Sequence, residues 1–437
     1  MDSKIKTIIT NINNSPNAFF AVRAVKDVLL SNGFAELKEN NVWKIKDGGK
    51  YFVARNDSSL IAFHMAKEIE NYHFQIVSSH LDSPCFRIKE NAEIEVKGKY
   101  LQLNTEGYGG MICGTWLDRP LSIAGRVVIK NNGKLQSRYI DFKKDMVIIP
   151  SLAIHMNRKV NEDQSFNKQI DMLPLFGDSE SKKGDLKKLI ASELNVTDED
   201  IISTELYLYN NQSASVWGTH SEFISSPRLD DLEGAFSSLE AFISTTPNNG
   251  INVLACFDNE EVGSTTKQGA ASTFLRDTLR RINTCLEKTK EDYYIALANS
   301  FMISLDNAHA VHPNHPEKTD ATNCAYLNEG IVIKTHSGQK YTTDSVSMAL
   351  FEEICKKAEV PYQLFFNRSD ELGGSTLGNI SSSQVSVNCV DIGLPQLAMH
   401  SSYETAGTKD ISYLIKALSA FYDTTIYKNA EGDIELG

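Results

Sequence analysis

The hydrophobic pattern at the two ends of this 437-residue chain is that of an α/β protein. Short continuous apolar runs alternate with helical patterns, in which apolar residues recur every three or four positions. Continuous apolar strands between helices predict a mixed, largely parallel sheet that is flanked by helices. The predicted strands are residues 74–78, 251–257, 301–305, 330–335, 362–366 and 396–399, and the predicted helices are residues 16–31, 229–244, 268–281, 343–358 and 410–427.

The middle of the chain has a different pattern. From about residue 89, short runs of alternating apolar and polar residues are separated by Asn-Gly, Lys-Gly and Gly-Gly turns, which is typical of β-structure. A long polar stretch, residues 157–185, interrupts these runs. We therefore predict a discontinuous α/β domain, residues 1–88 and 226–437, which is interrupted by an inserted β-rich domain, residues 89–225.

The charge balance narrows the classes of function. Lys and Arg number 44 and Asp and Glu number 56, a net charge of −12, so we expect neither nucleic acid nor a membrane as a partner. The seven cysteines form no CxxC pair, which favours a reducing compartment. The first residues lack the pattern of a secretory signal, and no apolar run approaches the ~18 residues that cross a bilayer. We expect a cytoplasmic protein.

Polar side chains that can bind metals follow several of the predicted strands, where sites form in open α/β sheets. His80 and Asp82 come directly after the strand at residues 74–78. Residues i and i+2 of an extended segment share a side, so the Asp82 carboxylate can accept the second ring N–H of His80 and fix its tautomer for metal binding. The alternative is an ordinary surface hydrogen bond.

Glu260 and Glu261 follow the strand at residues 251–257. Neighbouring side chains at a strand end point in different directions, so one carboxylate can bind a metal while the other accepts a proton from the attacking water. Asp258 adds to this dense negative charge, which is costly unless a cation neutralises it. The alternative is a pair of solvated acids in a turn.

Three further positions complete the candidate set. Asp306 ends a strand and leads into a segment with three histidines, residues 309–315, which either bind a metal or substrate or belong to an ordinary loop. His400 ends the last apolar run, where a core histidine is the alternative. Asp230 lies at a helix start, where an N-cap is the alternative. Together, two histidines and several carboxylates form the donor set of a two-metal hydrolase.

Five segments that run in order through nearly the whole chain resemble the aspartyl aminopeptidase family of dinuclear zinc aminopeptidases. They are SHLDSP (residues 79–84), SPRLDDL (226–232), FDNEEVGS (257–264), DNAHAVHPN (306–314) and LAMHS (397–401). The resemblance implies a zinc-peptidase-like α/β domain with an inserted domain between the first and second of these segments. This agrees with the inserted β-rich domain that the hydrophobic pattern predicts.

The resemblance also implies two divalent metal ions per subunit, zinc, with cobalt or manganese as alternatives. Glu260 would be the general base, and Asp82 would orient His80. The implied ligands are His80, Asp230 and Asp306 for one ion and Asp230, Glu261 and His400 for the other.

Members of the family assemble as dodecamers built from dimers, so the resemblance implies a homo-oligomer, in which the inserted domain serves dimerisation and substrate access. His155 matches the histidine that reaches into a neighbouring subunit's active site. His309 and Lys334 match positions that contact the substrate. Tyr403 stands where the family commonly has an Arg, which changes carboxylate recognition and leaves the preferred N-terminal residue open.

The predicted function is a metalloaminopeptidase that releases the N-terminal residue, acidic or neutral, from short peptides. A water activated by two metal ions attacks the peptide carbonyl, and Glu260 accepts its proton. Two alternatives stay open: a dinuclear amidohydrolase or deacylase that acts on N-acyl amino acids, and a non-catalytic peptide-binding scaffold. A requirement for a free amine separates the two enzymes, and the presence of a base argues against the scaffold.

Overall fold

A computed structural model describes residues 3–429 and 431–437, and the chain divides into two compact units. The larger unit consists of Met1–Asp82, Ala214–Met399 and Glu404–Gly437, and the smaller one of Ser83–Ser213 and His400–Tyr403. Within the described residues, no helix combines the length and the apolar character that crossing a membrane requires.

The helices of the described residues are α1 (Ser3–Asn13), α2 (Ala18–Ser31), α3 (Asp185–Leu194), α4 (Leu229–Ser244), α5 (Phe274–Cys285), α6 (Lys290–Ala298), α7 (Ser345–Lys357), α8 (Leu377–Ser381) and α9 (Thr408–Asp423). The strands are β1 (Ala35–Leu37), β2 (Lys50–Arg55), β3 (Ser59–Met65), β4 (Phe74–His80), β5 (Cys85–Val96), β6 (Tyr100–Tyr108), β7 (Leu121–Asn131), β8 (Lys134–Asp141), β9 (Leu175–Asp178), β10 (Ile201–Asn210), β11 (Ser215–Trp217), β12 (Phe223–Ser226), β13 (Ile251–Phe257), β14 (Phe301–Leu305), β15 (Ala308–His309), β16 (Ile331–Thr335), β17 (Tyr362–Phe366), β18 (Asn388–Gly393), β19 (Pro395–Leu397), β20 (Glu404–Gly407), β21 (Ile426–Lys428) and β22 (Ile434–Leu436).

The larger unit is built on a nine-stranded sheet with the order β1-β2-β3-β13-β4-β14-β18-β16-β17. The central strand β4 is parallel to both of its neighbours, and β14 is parallel to β18. The pairs β3–β13 and β16–β18 are antiparallel. The prediction of a mixed, largely parallel sheet is confirmed. A second, five-stranded sheet of this unit has the order β11-β12-β20-β19-β15.

Helices cover both faces of the large sheet, which explains why its strands are continuously apolar. In β13, Leu254 and Cys256 belong to the core on the face covered by α2, α4 and α9. Val253 and Ala255 belong to the core on the opposite face, which α5 covers. Because successive side chains of a strand point to opposite faces, a sheet that is buried on both faces needs apolar residues at every position.

The smaller unit contains a six-stranded antiparallel sheet with the order β8-β7-β10-β5-β6-β9 and the helix α3. Its own core includes Phe86, Leu103, Ile123 and Leu206. The predicted inserted β-rich domain, residues 89–225, overlaps this unit over most of its length. The unit begins earlier in the chain, since β5 begins at Cys85, and it also ends earlier, since both β11 and β12 belong to the larger unit.

One predicted strand of the large sheet is wrong. Residues 396–399 were expected to form a buried strand of this sheet. The strand found there, β19 (Pro395–Leu397), instead belongs to the five-stranded sheet. The strand that lies between β14 and β16 in the large sheet is β18. The polar residue Asp391 interrupts the apolar pattern of β18. It is nevertheless fully buried, because Thr342 and Thr376 donate hydrogen bonds to its carboxylate. Tertiary hydrogen bonds of this kind leave no local sequence signal.

Asp410, in the first turn of α9, fixes the loop that leads into β16. Its buried carboxylate accepts the main-chain N–H groups of Asn328 at 2.6 Å and Gly330 at 3.0 Å. Gly330 directly precedes the first residue of β16. Asp410 therefore holds the start of a strand that, as described below, reaches the candidate metal centre.

We expect Asp410→Ala to lower the free energy of unfolding by roughly 2–4 kcal/mol, because it leaves the buried N–H of Gly330 and the partly buried N–H of Asn328 without their acceptor. Burial raises the pKa of Asp410 to about 7. Asp410 then makes its full contribution to the free energy of unfolding below about pH 4, the pKa of an aspartate in the unfolded chain. This contribution falls as the pH rises towards 7. Urea unfolding of metal-free protein gives the free energy of unfolding of wild type and variant at about pH 4.5 and 7.5. The difference between the two proteins should be smaller at pH 7.5 than at pH 4.5. A difference of the same size at both pH values would contradict this prediction.

Candidate metal centre

His80 and the pair Glu260-Glu261 lie at the ends of neighbouring strands. β4 ends at His80, and β13 runs parallel to it with Phe257 opposite His80 in the register. The segments that follow the two strands therefore leave the same edge of the sheet side by side. Binding residues in open α/β sheets are expected at this edge, outside the carboxyl ends of the strands.

The ring of His80 is oriented by the main chain of Asp82. His80 Nδ1 lies 3.0 Å from the carbonyl oxygen of Asp82 and 3.5 Å from its Oδ1. Because a carbonyl can only accept, Nδ1 donates and the lone pair lies on Nε2. Nε2 lies 3.4 Å from Asp230 Oδ1. Burial lowers the pKa of His80, but hydrogen bonds to Asp230 and Asp82 outweigh it and hold this pKa well above the ordinary value. Two acceptors facing each other require a proton or a cation between them.

The carboxylate of Asp82 has a partner that the sequence did not indicate. Its Oδ1 accepts the main-chain N–H of Glu260 at 3.1 Å, and its Oδ2 accepts that of Glu261 at 3.2 Å. The two glutamates begin a short 3₁₀ helix, Glu260–Val262, after Asn259 in the left-handed region with φ 61°. Asp82 therefore fixes the position of both glutamates as well as the ring of His80.

Asp230 is not the N-cap of α4. Arg228 occupies that position, and no side-chain hydrogen bond caps the helix there. Asp230 and Asp231 have non-helical backbone angles, and the peptide bond between them is cis. The N–H of Asp230 donates to Glu404 Oε2 at 3.1 Å. The helix start thus holds Asp230 beside His80, and the N-cap alternative is wrong.

The donors at this place fit a divalent cation. The ligand atoms of His80, Asp230 and Glu261 all lie within 4.8 Å of one another. His80 and Asp230 are buried, and Glu261 is half-buried. Zinc, cobalt and manganese all bind imidazole nitrogen and carboxylate oxygen as ligands. A cation between His80 Nε2 and Asp230 Oδ1 would also remove the repulsion between these two acceptors.

Buried negative charge is concentrated here. Burial raises the pKa of Glu260 to about 8, and the charges of Asp306 and Asp82 act in the same direction against that of His80. Burial likewise raises the pKa of Asp306, and that of Asp231 lies well above its ordinary value for the same reason. Several buried acids are stable together only when protons or cations offset their charge. A divalent cation supplies that offset and lets the ligands ionise.

Asp306 lies at the end of β14, where its buried carboxyl group is subject to the charges of Lys334 and Asp230. Lys334, on β16, is 2% exposed. Its Nζ donates to the main-chain carbonyls of Asp306 at 2.8 Å and Asn307 at 3.2 Å. The sequence predicted that Lys334 contacts the substrate, and this stays a prediction. In the structure its ammonium group binds the main chain of the segment that carries Asp306.

Two predicted site residues, His400 and His155, belong to the smaller unit. His400 Nδ1 donates to the carbonyl of Gly110 at 3.0 Å. Its lone pair therefore lies on Nε2, as in His80, which is the tautomer of a metal ligand. His155 is exposed in a turn that lies just before the polar stretch, residues 157–185.

His309, on β15, is exposed and lines a cavity of about 460 Å³ in the larger unit. Lys318 and Arg368 also line this cavity. The other two histidines of the segment, His312 and His315, are exposed, and their rings lie 5.3 Å apart. Glu371, which pairs with Lys318 at 3.5 Å, lines the cavity as well, so its wall carries charges of both signs. The predicted contact of His309 with substrate stays a prediction.

Sequence reasoning missed two buried acids around the candidate centre, Asp231 and Glu233. Asp231 Oδ2 accepts the N–H of His80 at 3.3 Å. Glu233 Oε1 accepts from Asn307 Nδ2 at 3.0 Å. Three acids among the apolar residues of the segment LDDLEGAF were the available signal. A buried helix start with that much charge indicates a binding site more than a cap.

Imidazole and carboxylate donors at the carboxyl ends of parallel strands are the arrangement of a metal-dependent hydrolase. Comparison with known proteins gives the family. The family described as Aminopeptidase I zinc metalloprotease (M18) matches residues 11–422. A probable M18 family aminopeptidase 2 of Clostridium acetobutylicum is 49% identical over 424 residues, 96% of this chain and 98% of the relative. One of Pseudomonas aeruginosa is 42% identical over 422 residues, 95% of this chain and 97% of the relative.

Solved structures agree with this match. Ape4, from a complex with Nbr1, superposes with a TM-score of 0.92 at 35% identity, and the match covers 96% of this chain and 85% of that one. The mApe1 dodecamer of S. cerevisiae superposes with a TM-score of 0.83 at 26% identity, over 96% of each chain. The chain belongs to the M18 family of zinc aminopeptidases, which are metallo-exopeptidases. The resemblance stated from the sequence is thereby confirmed.

Proposed function

We propose that this aminopeptidase releases the N-terminal residue of short peptides with two divalent ions, zinc, per subunit and with Glu260 as the general base. One observation supports this most strongly. His80 Nε2 and Asp230 Oδ1 face each other at 3.4 Å, while Glu261 offers a third ligand within 4.8 Å and Glu260 is its neighbour in the chain. This arrangement of ligand atoms suits a divalent cation, with an additional carboxylate beside it.

In the proposed centre, Asp230 would be a ligand of both ions. His80 and Asp306 would complete one ligand set, and Glu261 and His400 would complete the other. A shared carboxylate suits the short spacing, ~3.5–4 Å, of two-metal hydrolases. The buried position of Asp230 at the kinked start of α4 favours it for this role.

Bound zinc would polarise the scissile carbonyl and lower the pKa of the attacking water. The chain's own residues do the rest of the proposed work. Glu260 accepts the proton of the water as its oxygen bonds to the carbonyl carbon, and returns it to the leaving amine when the C–N bond breaks. Asp82 holds the main chain of Glu260, so the base keeps a fixed distance to the reacting atoms. His155 of a neighbouring subunit is proposed to stabilise the developing oxyanion.

The acidic character of the centre favours a substrate with a free, positively charged α-amine. Asp230, Asp306 and the two adjacent glutamates place several carboxylates in one buried region. The cavity with His309, Lys318 and Arg368 on its wall is proposed to receive other parts of the peptide. A positively charged centre would instead favour N-acylated amino acids, because they have no free, positively charged α-amine.

We further propose that the protein forms a homo-oligomer, a dodecamer built from dimers, in which the smaller unit serves dimerisation and substrate access. The similarity to the mApe1 dodecamer of S. cerevisiae supports this proposal. A closed shell of subunits would exclude folded proteins and leave short peptides as substrates. Sedimentation equilibrium of the purified protein measures its mass directly, and a stable monomer would contradict the proposal.

The expected activity is cleavage of aminoacyl anilides that depends on a free amine. Asp-, Glu-, Leu- and Met-anilides should be tested beside their N-acetylated forms and beside N-acetyl amino acids. We expect N-acetylation to lower kcat/KM at least about 100-fold, because it removes the positive charge that the acidic centre attracts. Hydrolysis of the N-acetyl amino acids without cleavage of any anilide would establish the deacylase alternative instead.

A further inference from the structure

His400 and the three residues after it belong to the smaller unit, although the chain on both sides of them belongs to the larger one. In the proposed function, His400 is a ligand of one ion. Its backbone lies in the left-handed region, with φ 67°, which favours glycine. A residue with a Cβ persists there only when the surrounding structure holds it, and such residues are concentrated at functional sites. The contacts that hold His400 therefore bear on metal binding.

The smaller unit binds His400 at its ring and at its main chain. The ring Nδ1 donates to the carbonyl of Gly110 at 3.0 Å, and the carbonyl of His400 accepts the N–H of Ile112 at 3.0 Å. Both partners lie in the loop that follows β6. Because Nδ1 is fixed as a donor, Nε2 carries the lone pair that a metal ion needs.

Ser402 ties the same segment to two side chains of the smaller unit. Thr115 lies in a short 3₁₀ helix, Cys113–Trp116, and its Oγ1 accepts the N–H of Ser402 at 2.9 Å. In return, the hydroxyl of Ser402 donates to the carbonyl of Thr115 at 2.5 Å. From β10, Asn210 Nδ2 donates to the carbonyl of Ser402 at 2.9 Å. Ser402 and Asn210 are each 3% exposed, so water does not readily replace these partners.

Thr115 is itself fixed in its turn. Its hydroxyl donates to the carbonyl of Ile112 at 2.8 Å, and its own carbonyl accepts Arg119 Nε at 2.6 Å. A hydroxyl has one donor and two acceptor positions. Because the proton of this hydroxyl is used within the turn, a lone pair meets the N–H of Ser402. An apolar side chain of the same shape would therefore break the link to the segment of His400.

We propose that Thr115 and Asn210 are positioning residues, by which the smaller unit holds the segment of His400 for binding one of the two ions. The proposal rests on the proposed function, in which His400 is a ligand. It gives the smaller unit a part in metal binding, in addition to the proposed dimerisation and substrate access. Partners that orient a metal ligand typically contribute ~10–100-fold to metal affinity.

The experiment measures the stepwise zinc affinities of full-length variants by competition with a chromogenic chelator. His400→Ala identifies the ion that depends on His400. Thr115→Val, which keeps the shape of the side chain but has no hydroxyl, should weaken the same ion about tenfold and the other ion less than about threefold. Thr115→Ser, which keeps the hydroxyl, should bind both ions as the wild type does. The control Thr284→Val removes an exposed hydroxyl of α5 and should change neither affinity.

A double variant separates positioning from a general loss of stability. If Thr115 acts through His400, Thr115→Val should lower zinc affinity by no more than about twofold once His400 is replaced by alanine. The proposal would be overturned by a similar loss in both backgrounds, by equal weakening of both ions, or by Thr115→Ser binding zinc as weakly as Thr115→Val. If Thr115→Val does not fold, Asn210→Ala, which removes the donor to the carbonyl of Ser402, serves for the same comparison.

These measurements do not depend on turnover. Wild type that binds two ions but cleaves no anilide would refute the proposed activity, while the affinities would still decide the role of Thr115. Two ions whose affinities are unchanged in Thr115→Val would refute the role of Thr115 and leave the proposed function in place. Unchanged affinities in His400→Ala would remove the ligand on which the proposal rests and would overturn it.

Discussion

Glu260→Gln is expected to lower kcat by about 10²–10⁴-fold while the protein keeps its zinc. Glutamine has nearly the same shape as glutamate but cannot accept a proton, and Glu260 is not one of the proposed ligands. The hydrogen bond from its main chain to Asp82 is unaffected by the substitution. Anilide hydrolysis at saturating zinc, together with the zinc content of the same sample, measures both parts of the prediction.

The matched control for this variant is Glu291→Gln, an exposed glutamate in the first turn of α6. It removes the same charge away from the centre and should retain wild-type activity. If zinc-loaded Glu260→Gln turned over as fast as this control, the assignment of the base would be wrong, although the metal site would be unaffected.

Asp230→Ala is expected to remove both zinc binding and activity. Asp230 is the proposed shared ligand, and His80 Nε2 loses the carboxylate that faces it at 3.4 Å. Loss of a shared ligand weakens the binding of both ions. We therefore expect zinc affinity to fall by more than about 100-fold, which exceeds the effect of losing a residue that only positions a ligand. Equilibrium dialysis followed by elemental analysis measures the zinc that remains.

Asp27→Ala, on the exposed face of α2, is the control for loss of an aspartate. Circular dichroism should give the same helix content for both variants, because the substitution in α4 lies at its non-helical start. A folded Asp230→Ala protein that retains two ions would exclude Asp230 as a ligand shared between them.

Much of the large sheet followed from local patterns. The strands at residues 251–257, 301–305 and 362–366 lie where continuous apolar runs predict them. The central sheet is buried on both faces, so each strand carries its own signal. The helix predicted at residues 268–281 instead begins at Phe274. Residues 258–272 instead form turns and a short 3₁₀ helix that contains the glutamate pair. Local periodicity does not show that these residues are needed to place the glutamates and are therefore not part of the helix.

The candidate site residues His80, Glu260 and Asp306 could be identified from the sequence because each lies at or just after the end of a strand of one sheet. Parallel pairing of β4 with β13 and β14 brings their ends together, and an apolar run predicts each strand. The bonds of Asp82 to the main chain of the glutamates, and those of Lys334 to the segment of Asp306, depend on register. Contacts between residues so far apart in the chain have no local pattern.

The central claim is that two divalent ions bind beside Glu260 and are required for hydrolysis. Zinc titration of chelator-stripped protein tests it most directly, with bound zinc and anilide cleavage followed in the same samples. The account predicts no activity without metal, and activity that saturates as zinc reaches two ions per chain. Undiminished hydrolysis by protein shown to be free of metal would contradict it.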